Sequence, residues 1–124
     1  MLTTGVDLIE IHRIERALDR YGDRFLQRVY TEAEVLYSRG RAQELAARFA
    51  AKEAVAKALG VGMRILSPVG INWHDVETLN RRTGKPYVTL HGRAAKLATE
   101  QGLKTWSISL SHDGGLAIAF VVAM

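Results

Sequence analysis

Arg48-Phe49-Ala50-Ala51-Lys52-Glu53-Ala54-Val55-Ala56-Lys57-Ala58-Leu59-Gly60 is the stretch on which the reading of this 124-residue chain turns. It reads as the second half of a long helix over 43–59 that stops at Gly60, a normal C-terminal glycine. Residues three and four apart share one helical face. Phe49, Glu53 and Lys57 therefore line up, and Ala46, Ala50, Ala54 and Val55 supply a smooth packing surface around them. On an ordinary solvated face such a Glu-to-Lys pair is worth about 0.2–0.5 kcal/mol. Beside a bulky ring and among small residues, the same pair suits a site that holds a metal and a phosphate. The segments on either side decide between the two.

Towards the N-terminus, residues 2–9 read as a short strand that delivers Asp7 near its end. A helix follows, because Ile11, Ile14, Leu18, Tyr21 and Phe25 recur at three- and four-residue steps and mark one buried stripe. Arg13, Arg16, Arg20, Arg24 and Arg28 fall on roughly the opposite face by the same count. Gly22-Asp23 interrupts the pattern, and Asp23 can cap a second short helix. A helix face of one sign exceeds what solubility requires and points to a docking surface. Thr31-Glu32-Ala33-Glu34 has the form of a capping box, so a short helix runs through Tyr37 and ends by Gly40.

Beyond Gly60, residues 61–70 contain Gly62, Pro68 and Gly70 and read as a loop. The periodicity then becomes that of strands. Ile71, Trp73 and Asp75-Val76 lead to Leu79, and Arg81-Arg82-Thr83-Gly84-Lys85-Pro86 turns the chain into a second strand over 87–91. Residues 92–101 form a small alanine-rich helix closed by Gly102. Trp106, Ile108 and Leu110 alternate with Ser107, Ser109 and Ser111 as in a half-buried strand. Asp113-Gly114 is a turn signal, and residues 116–122 form a near-continuous apolar strand expected to be covered on both faces, by another subunit or by the chain's own core. Trp73 and Trp106 lie in strand patterns and read as core. The order β-α-α-α-β-β-α-β-β describes one α+β domain over 1–124, an antiparallel sheet packed with a long helix.

Composition narrows the chemistry. The absence of cysteine removes disulfides, thiolate catalysis and zinc–sulfur sites. No apolar run approaches the ~20 residues that cross a bilayer, so no membrane is expected. The N-terminus carries no basic region followed by a long apolar stretch, and a cytoplasmic setting is expected. The net charge of +4 favours an acidic partner: nucleic acid, a phosphorylated ligand or an acidic protein.

Taken together the segments resemble the holo-[acyl-carrier-protein] synthases, the short phosphopantetheinyl transferases. The matching pieces begin with Gly5-Val6-Asp7-Leu8-Ile9-Glu10-Ile11, Arg13 and Tyr30-Thr31-Glu32-Ala33-Glu34. Arg48-Phe49-Ala50-Ala51-Lys52-Glu53-Ala54 with Lys57-Ala58-Leu59-Gly60 comes next, then Trp73-His74-Asp75-Val76-Glu77. Gly84-Lys85-Pro86, Leu90-His91-Gly92-Arg93-Ala94 and Ser109-Leu110-Ser111-His112 close the set, in the family's order. The loop over 61–70 departs from the pattern: Val61 stands where threonine is usual, and the loop is somewhat longer.

The resemblance implies a reaction. A serine hydroxyl of an acyl carrier protein attacks the β-phosphate of coenzyme A, takes up the 4′-phosphopantetheine arm and releases adenosine 3′,5′-bisphosphate, in support of fatty acid biosynthesis. It implies Asp7 and Glu53 as ligands of Mg²⁺, a hard cation that takes one or two carboxylates together with substrate phosphates. Lys57 would hold a phosphate oxygen as a point charge. Two acceptors stand open for the serine proton: a metal-bound water paired with Glu53, or Lys57 with a depressed pKa. Gly84, Lys85, Pro86, Ser111 and His112 are expected at coenzyme A, and Arg13, Arg20, Arg24 and Arg28 at the carrier. Larger relatives look like two such halves fused, which implies a homotrimer with sites between subunits. A non-enzymatic module binding nucleic acid through the arginines is the alternative. It leaves Asp7, Glu53 and Lys57 unexplained and pairs the arginine helix with buried aromatics, so nucleic acid is not the expected partner.

Overall fold

A hydrogen-bonded capping box opens the helix over Glu32–Ser38. The Glu34 backbone N–H donates to Thr31 Oγ1 at 3.3 Å, and the Thr31 N–H donates to Glu34 Oε1 at 2.9 Å. The structure, a computed structural model, describes residues 1–64 and 68–124. The central part of the expected 61–70 loop, residues 65–67, lies outside the described residues.

The elements run β1 (Thr3–Glu10), α1 (Ile11–Tyr21), α2 (Asp23–Val29), α3 (Glu32–Ser38), α4 (Ala42–Ala58), β2 (Val76–Asn80), β3 (Pro86–Leu90), α5 (Gly92–Glu100), β4 (Trp106–Asp113) and β5 (Leu116–Ala123). Among the described residues the strands form two antiparallel sheets, one ordered β1-β5-β4 and the other β2-β3. β3 lies beside the β4 edge of the larger sheet. The α+β architecture therefore holds, with the expected single sheet divided in two.

α4 is the core. From Leu45 to Leu59 every residue is buried except Phe49, Glu53 and Lys57. Its alanines let β1 come close: a Cβ on Gly5 would lie 1.9 Å from the Ala54 carbonyl oxygen, so only glycine fits there. The inner faces of the strands add Ile9, Ile108, Ala117, Ala119 and Val121 to the same cluster.

Two fully buried cations tie α4 to the small sheet. Lys52 Nζ donates to Glu34 Oε1 at 2.8 Å, to the Trp73 carbonyl at 3.0 Å and to that of Val76. Glu34 Oε2 accepts the Thr78 N–H at 2.9 Å. Arg48 donates through Nε to the Thr78 carbonyl at 3.1 Å, through Nη1 to Glu44 Oε1 at 3.0 Å and through Nη2 to Asn80 Oδ1. Burial pushes the Lys52 ammonium below the usual lysine range, opposed chiefly by the charge of Glu34. Such charges are tolerated inside because every one is paired and hydrogen-bonded.

Three elements differ from the sequence reading. Ile71 does not open a strand; it makes an isolated parallel bridge to Met63, and residues Trp73–Asp75 form a 3₁₀ turn. The cause is the Asn72 N–H donating to the buried Asp75 carboxylate at 3.1 Å, which closes the turn. Second, β5 is covered on one face only in the single chain. Ala117, Ala119, Val121 and Ala123 are buried, whereas Leu116, Ile118 and Phe120 are 39%, 38% and 44% exposed. Third, Tyr21 leaves the buried stripe and lies under the Arg20 guanidinium, 5.5 Å from ring centre to Cζ. Gly22 breaks the helix there at φ 54°, ψ −129°, and α2 sets off as a separate helix with Gly22 rather than Asp23 at its cap.

Candidate active site

The predicted line of Phe49, Glu53 and Lys57 is the one open stripe on the buried length of α4. Phe49 stacks on Trp73, centroids 4.8 Å apart, which packs that end of the stripe. At the other end, Lys57 Nζ donates to Asp7 Oδ1 at 3.1 Å and to the Val6 carbonyl at 2.9 Å. Period-two alternation explains why Asp7 is there. Gly5, Asp7 and Ile9 face α4, while Val6 and Leu8 face away.

Glu53 lies between these groups. Burial and the nearby Asp7 charge hold its carboxyl above the ordinary range, with Lys57 and Arg13 pulling the other way. Two carboxylates from separate elements thus share one field beside an ammonium, half-buried and open on one side. Like charges that act on one another are relieved by a cation. Among the described residues no three His, Asp or Glu side chains gather to enclose a metal by themselves. The donor set fits a hard divalent ion that draws its remaining oxygens from a substrate and water.

A second group assembles where the β2–β3 turn meets the exposed edge strand β4. Gly84, Pro86, Ser111 and His112 line one groove of about 240 Å³ with Asn80 and Glu44. The turn is closed by the Gly84 N–H donating to the Arg81 carbonyl at 2.8 Å, with Gly84 at φ 91°. Lys85 is exposed beside it. Asp7, Glu53 and Lys57 do not border this groove, so one chain holds the two expected parts of the site apart.

The arginines divide as well. Arg13, Arg16 and Arg20 border an open groove of about 500 Å³ along α1 with Asp19 and Tyr21. Arg24 is exposed on α2, and Arg28 looks onto a different recess with Arg64, Asn72 and His74. The break at Gly22 causes the division.

Sequence reasoning did not identify the buried roles of Arg48, Lys52 and Glu34. The signal available was the placement of two cations on the alanine-lined sides of a helix whose only open line is already occupied.

A buried helix with one acidic and basic stripe, met by an aspartate on an adjoining strand, thus gathers two carboxylates and an ammonium at one open site. The sequence profile of the 4′-phosphopantetheinyl transferase superfamily matches residues 3–121, and the chain belongs to that superfamily. It is 56% identical to the holo-[acyl-carrier-protein] synthase of Herpetosiphon aurantiacus, over 100% of this chain and 99% of the relative. Among solved structures it is similar to holo-[acyl-carrier-protein] synthase of Helicobacter pylori in complex with coenzyme A, with TM-score 0.86 and 30% identity over 98% of this chain and 99% of that one. The synthase of Neisseria meningitidis superimposes with TM-score 0.85 at 34% identity, covering 98% and 97%.

Proposed function

We propose that this protein transfers the 4′-phosphopantetheine arm of coenzyme A to a serine of an apo acyl carrier protein, releasing adenosine 3′,5′-bisphosphate. The observation that carries the reading is the cluster of Glu53 and Lys57, on the open stripe of α4, with Asp7 of β1, in a chain of this superfamily.

Asp7 and Glu53 are the residues that would hold Mg²⁺, which when bound neutralises charge developing on the diphosphate oxygens during displacement. Lys57 serves as the phosphate clamp: its side chain is 55% exposed, so the ammonium can leave Asp7 for a phosphate oxygen. The serine oxygen forms a bond to the β-phosphorus while the bond to the departing nucleotide oxygen breaks. The serine proton is taken up on the Glu53–Lys57 stripe, by a water paired with Glu53 or by Lys57 itself. Coenzyme A is bound by Gly84, Lys85, Pro86, Ser111 and His112, and the acidic carrier docks on Arg13, Arg20, Arg24 and Arg28.

The working assembly is a homotrimer. Val6 pairs with Phe120 and Leu8 with Ile118, and these four large apolar side chains lie exposed on the open face of the sheet. A patch of this kind marks an interaction surface. The 240 Å³ groove is also smaller than the roughly 300–1,000 Å³ usual for a ligand site. A neighbouring copy would supply the missing wall and bring its carboxylates to the groove; the number three rests on family resemblance. The expected setting is the cytoplasm, with the holo carrier serving fatty acid biosynthesis. No helix among the described residues is long and apolar enough to cross a membrane.

Coenzyme A labelled in its pantetheine arm tests the reaction. Label should move to an apo carrier only when the enzyme, a divalent cation and the carrier serine are all present. Label transfer to a carrier in which that serine is alanine would overturn the reading.

A further inference from the structure

Arg48 is not among the residues bordering the Gly84–His112 groove, yet it holds several that are. Its side chain is fully buried. The guanidinium donates to Glu44 Oε1, stacks over the Tyr37 ring at 4.5 Å and donates to Asn80 Oδ1. Asn80 passes the connection outward: its Nδ2 donates to the Gly84 carbonyl at 2.7 Å. Glu44, Tyr37, Asn80 and Gly84 all border the groove that also holds Ser111 and His112. A rigid fork of donors in the core thus reaches the turn through one amide, whose oxygen and nitrogen are both committed.

We infer that Asn80 is a positioning residue for coenzyme A, fixing the Gly84-Lys85-Pro86 turn to the buried Arg48 so that the groove is preformed; this rests on the reading of that groove as the coenzyme A site. The turn is otherwise tied by backbone bonds across its own neck, Arg81 N–H to Lys85 carbonyl at 2.9 Å and Gly84 N–H to Arg81 carbonyl at 2.8 Å. Those bonds set its shape but not its tilt against β4. The Asn80 bond connects the turn to α4, and a preformed site binds more tightly because less ordering accompanies binding. Asn80 touches no reacting atom in this scheme. Its loss acts on coenzyme A and not on the chemical step.

Asn80→Asp separates the two halves of the connection. The carboxylate still accepts from Arg48 but can no longer donate to Gly84, and its second oxygen faces the Gly84 carbonyl and repels it. Asn80→Ala removes both halves. Coenzyme A binding by calorimetry, the KM for coenzyme A and kcat are measured on the full chain, alongside the melting temperature. Both variants should weaken coenzyme A binding and raise its KM about tenfold, with kcat and the KM for the carrier within about twofold of wild type; a tenfold loss corresponds to about 1.4 kcal/mol. A folded Asn80→Asp that binds coenzyme A like wild type, or a fall in kcat at unchanged KM, overturns the inference. If the wild-type chain itself binds no coenzyme A, the reading of the groove has failed; if wild type and both variants bind coenzyme A alike, the positioning role is wrong.

Discussion

Lys57 lies 3.1 Å from Asp7, bridging the last turn of the central helix and the first strand across fifty positions of sequence. The contact brings the amino-terminal carboxylate into the field of Glu53. It also leaves an ammonium within reach of whatever enters between them.

Asp7→Ala and Glu53→Ala should each lower transfer by at least about 10²-fold, the scale lost with one electrostatic contact to a developing charge. Their melting temperatures should remain near wild type, because neither side chain belongs to the core. Near-normal turnover of either variant at low Mg²⁺ contradicts the assignment.

Charge reversal at Arg20 is the clean test of the docking face, because Arg13 also acts on the Glu53 carboxyl. Arg20→Glu should slow association with the carrier and flatten its dependence on salt, with coenzyme A binding spared. Unchanged carrier binding would move the docking surface away from α1.

Removing one partner of the buried Lys52–Glu34 pair leaves an uncompensated charge in the core. Lys52→Ala should cost about 3–5 kcal/mol in chemical unfolding. Joining Lys52→Met with Glu34→Gln should recover part of that loss; a Lys52→Ala loss below about 1 kcal/mol would contradict the account.

The sequence made much of this legible, and particular residues show why. The Thr31–Glu34 capping box and the Phe49, Glu53, Lys57 line rest on spacing alone, and both are present as read. Trp73 escaped its strand because the Asp75 carboxylate, accepting from the Asn72 N–H three residues before it, outweighed local apolar alternation. Glu34 reads from sequence as a cap and no more. Its pairing with Lys52 and Thr78 joins residues 18 and 44 positions away, and such distances leave no local pattern. The open face of β5 is not decided by sequence, because Leu116, Ile118 and Phe120 carry no sign of whether the covering atoms belong to the same chain or to another subunit.

Glu77 should contribute to acid sensitivity. Burial raises its carboxyl, but the Thr31 hydroxyl bond and the His91 bond and charge outweigh it, and the net direction is below 4.5. A depressed carboxyl stabilises the fold above its unfolded value, and that contribution is lost as pH falls through the folded value. Glu77→Gln should therefore be less stable than wild type at pH 7, with the difference shrinking below about pH 4.5. A difference that is constant across that window contradicts the linkage.

The assembly can be examined by sedimentation and by mixing. If the proposed trimer is the working unit, Phe120→Asp should disperse it and abolish activity together. Mixing inactive Glu53→Ala chains with chains carrying Pro86→Asp should restore some activity, because one interface can then combine an intact carboxylate pair with an intact groove. An active wild-type species running as a 13.7 kDa monomer rules the arrangement out.

The intact mass of an apo acyl carrier protein, before and after incubation with this chain, coenzyme A and Mg²⁺, tests the central claim most directly. The account predicts a gain of one phosphopantetheine per carrier, matched by one adenosine 3′,5′-bisphosphate released. A carrier that keeps its starting mass while the chain remains folded and bound to coenzyme A would contradict it.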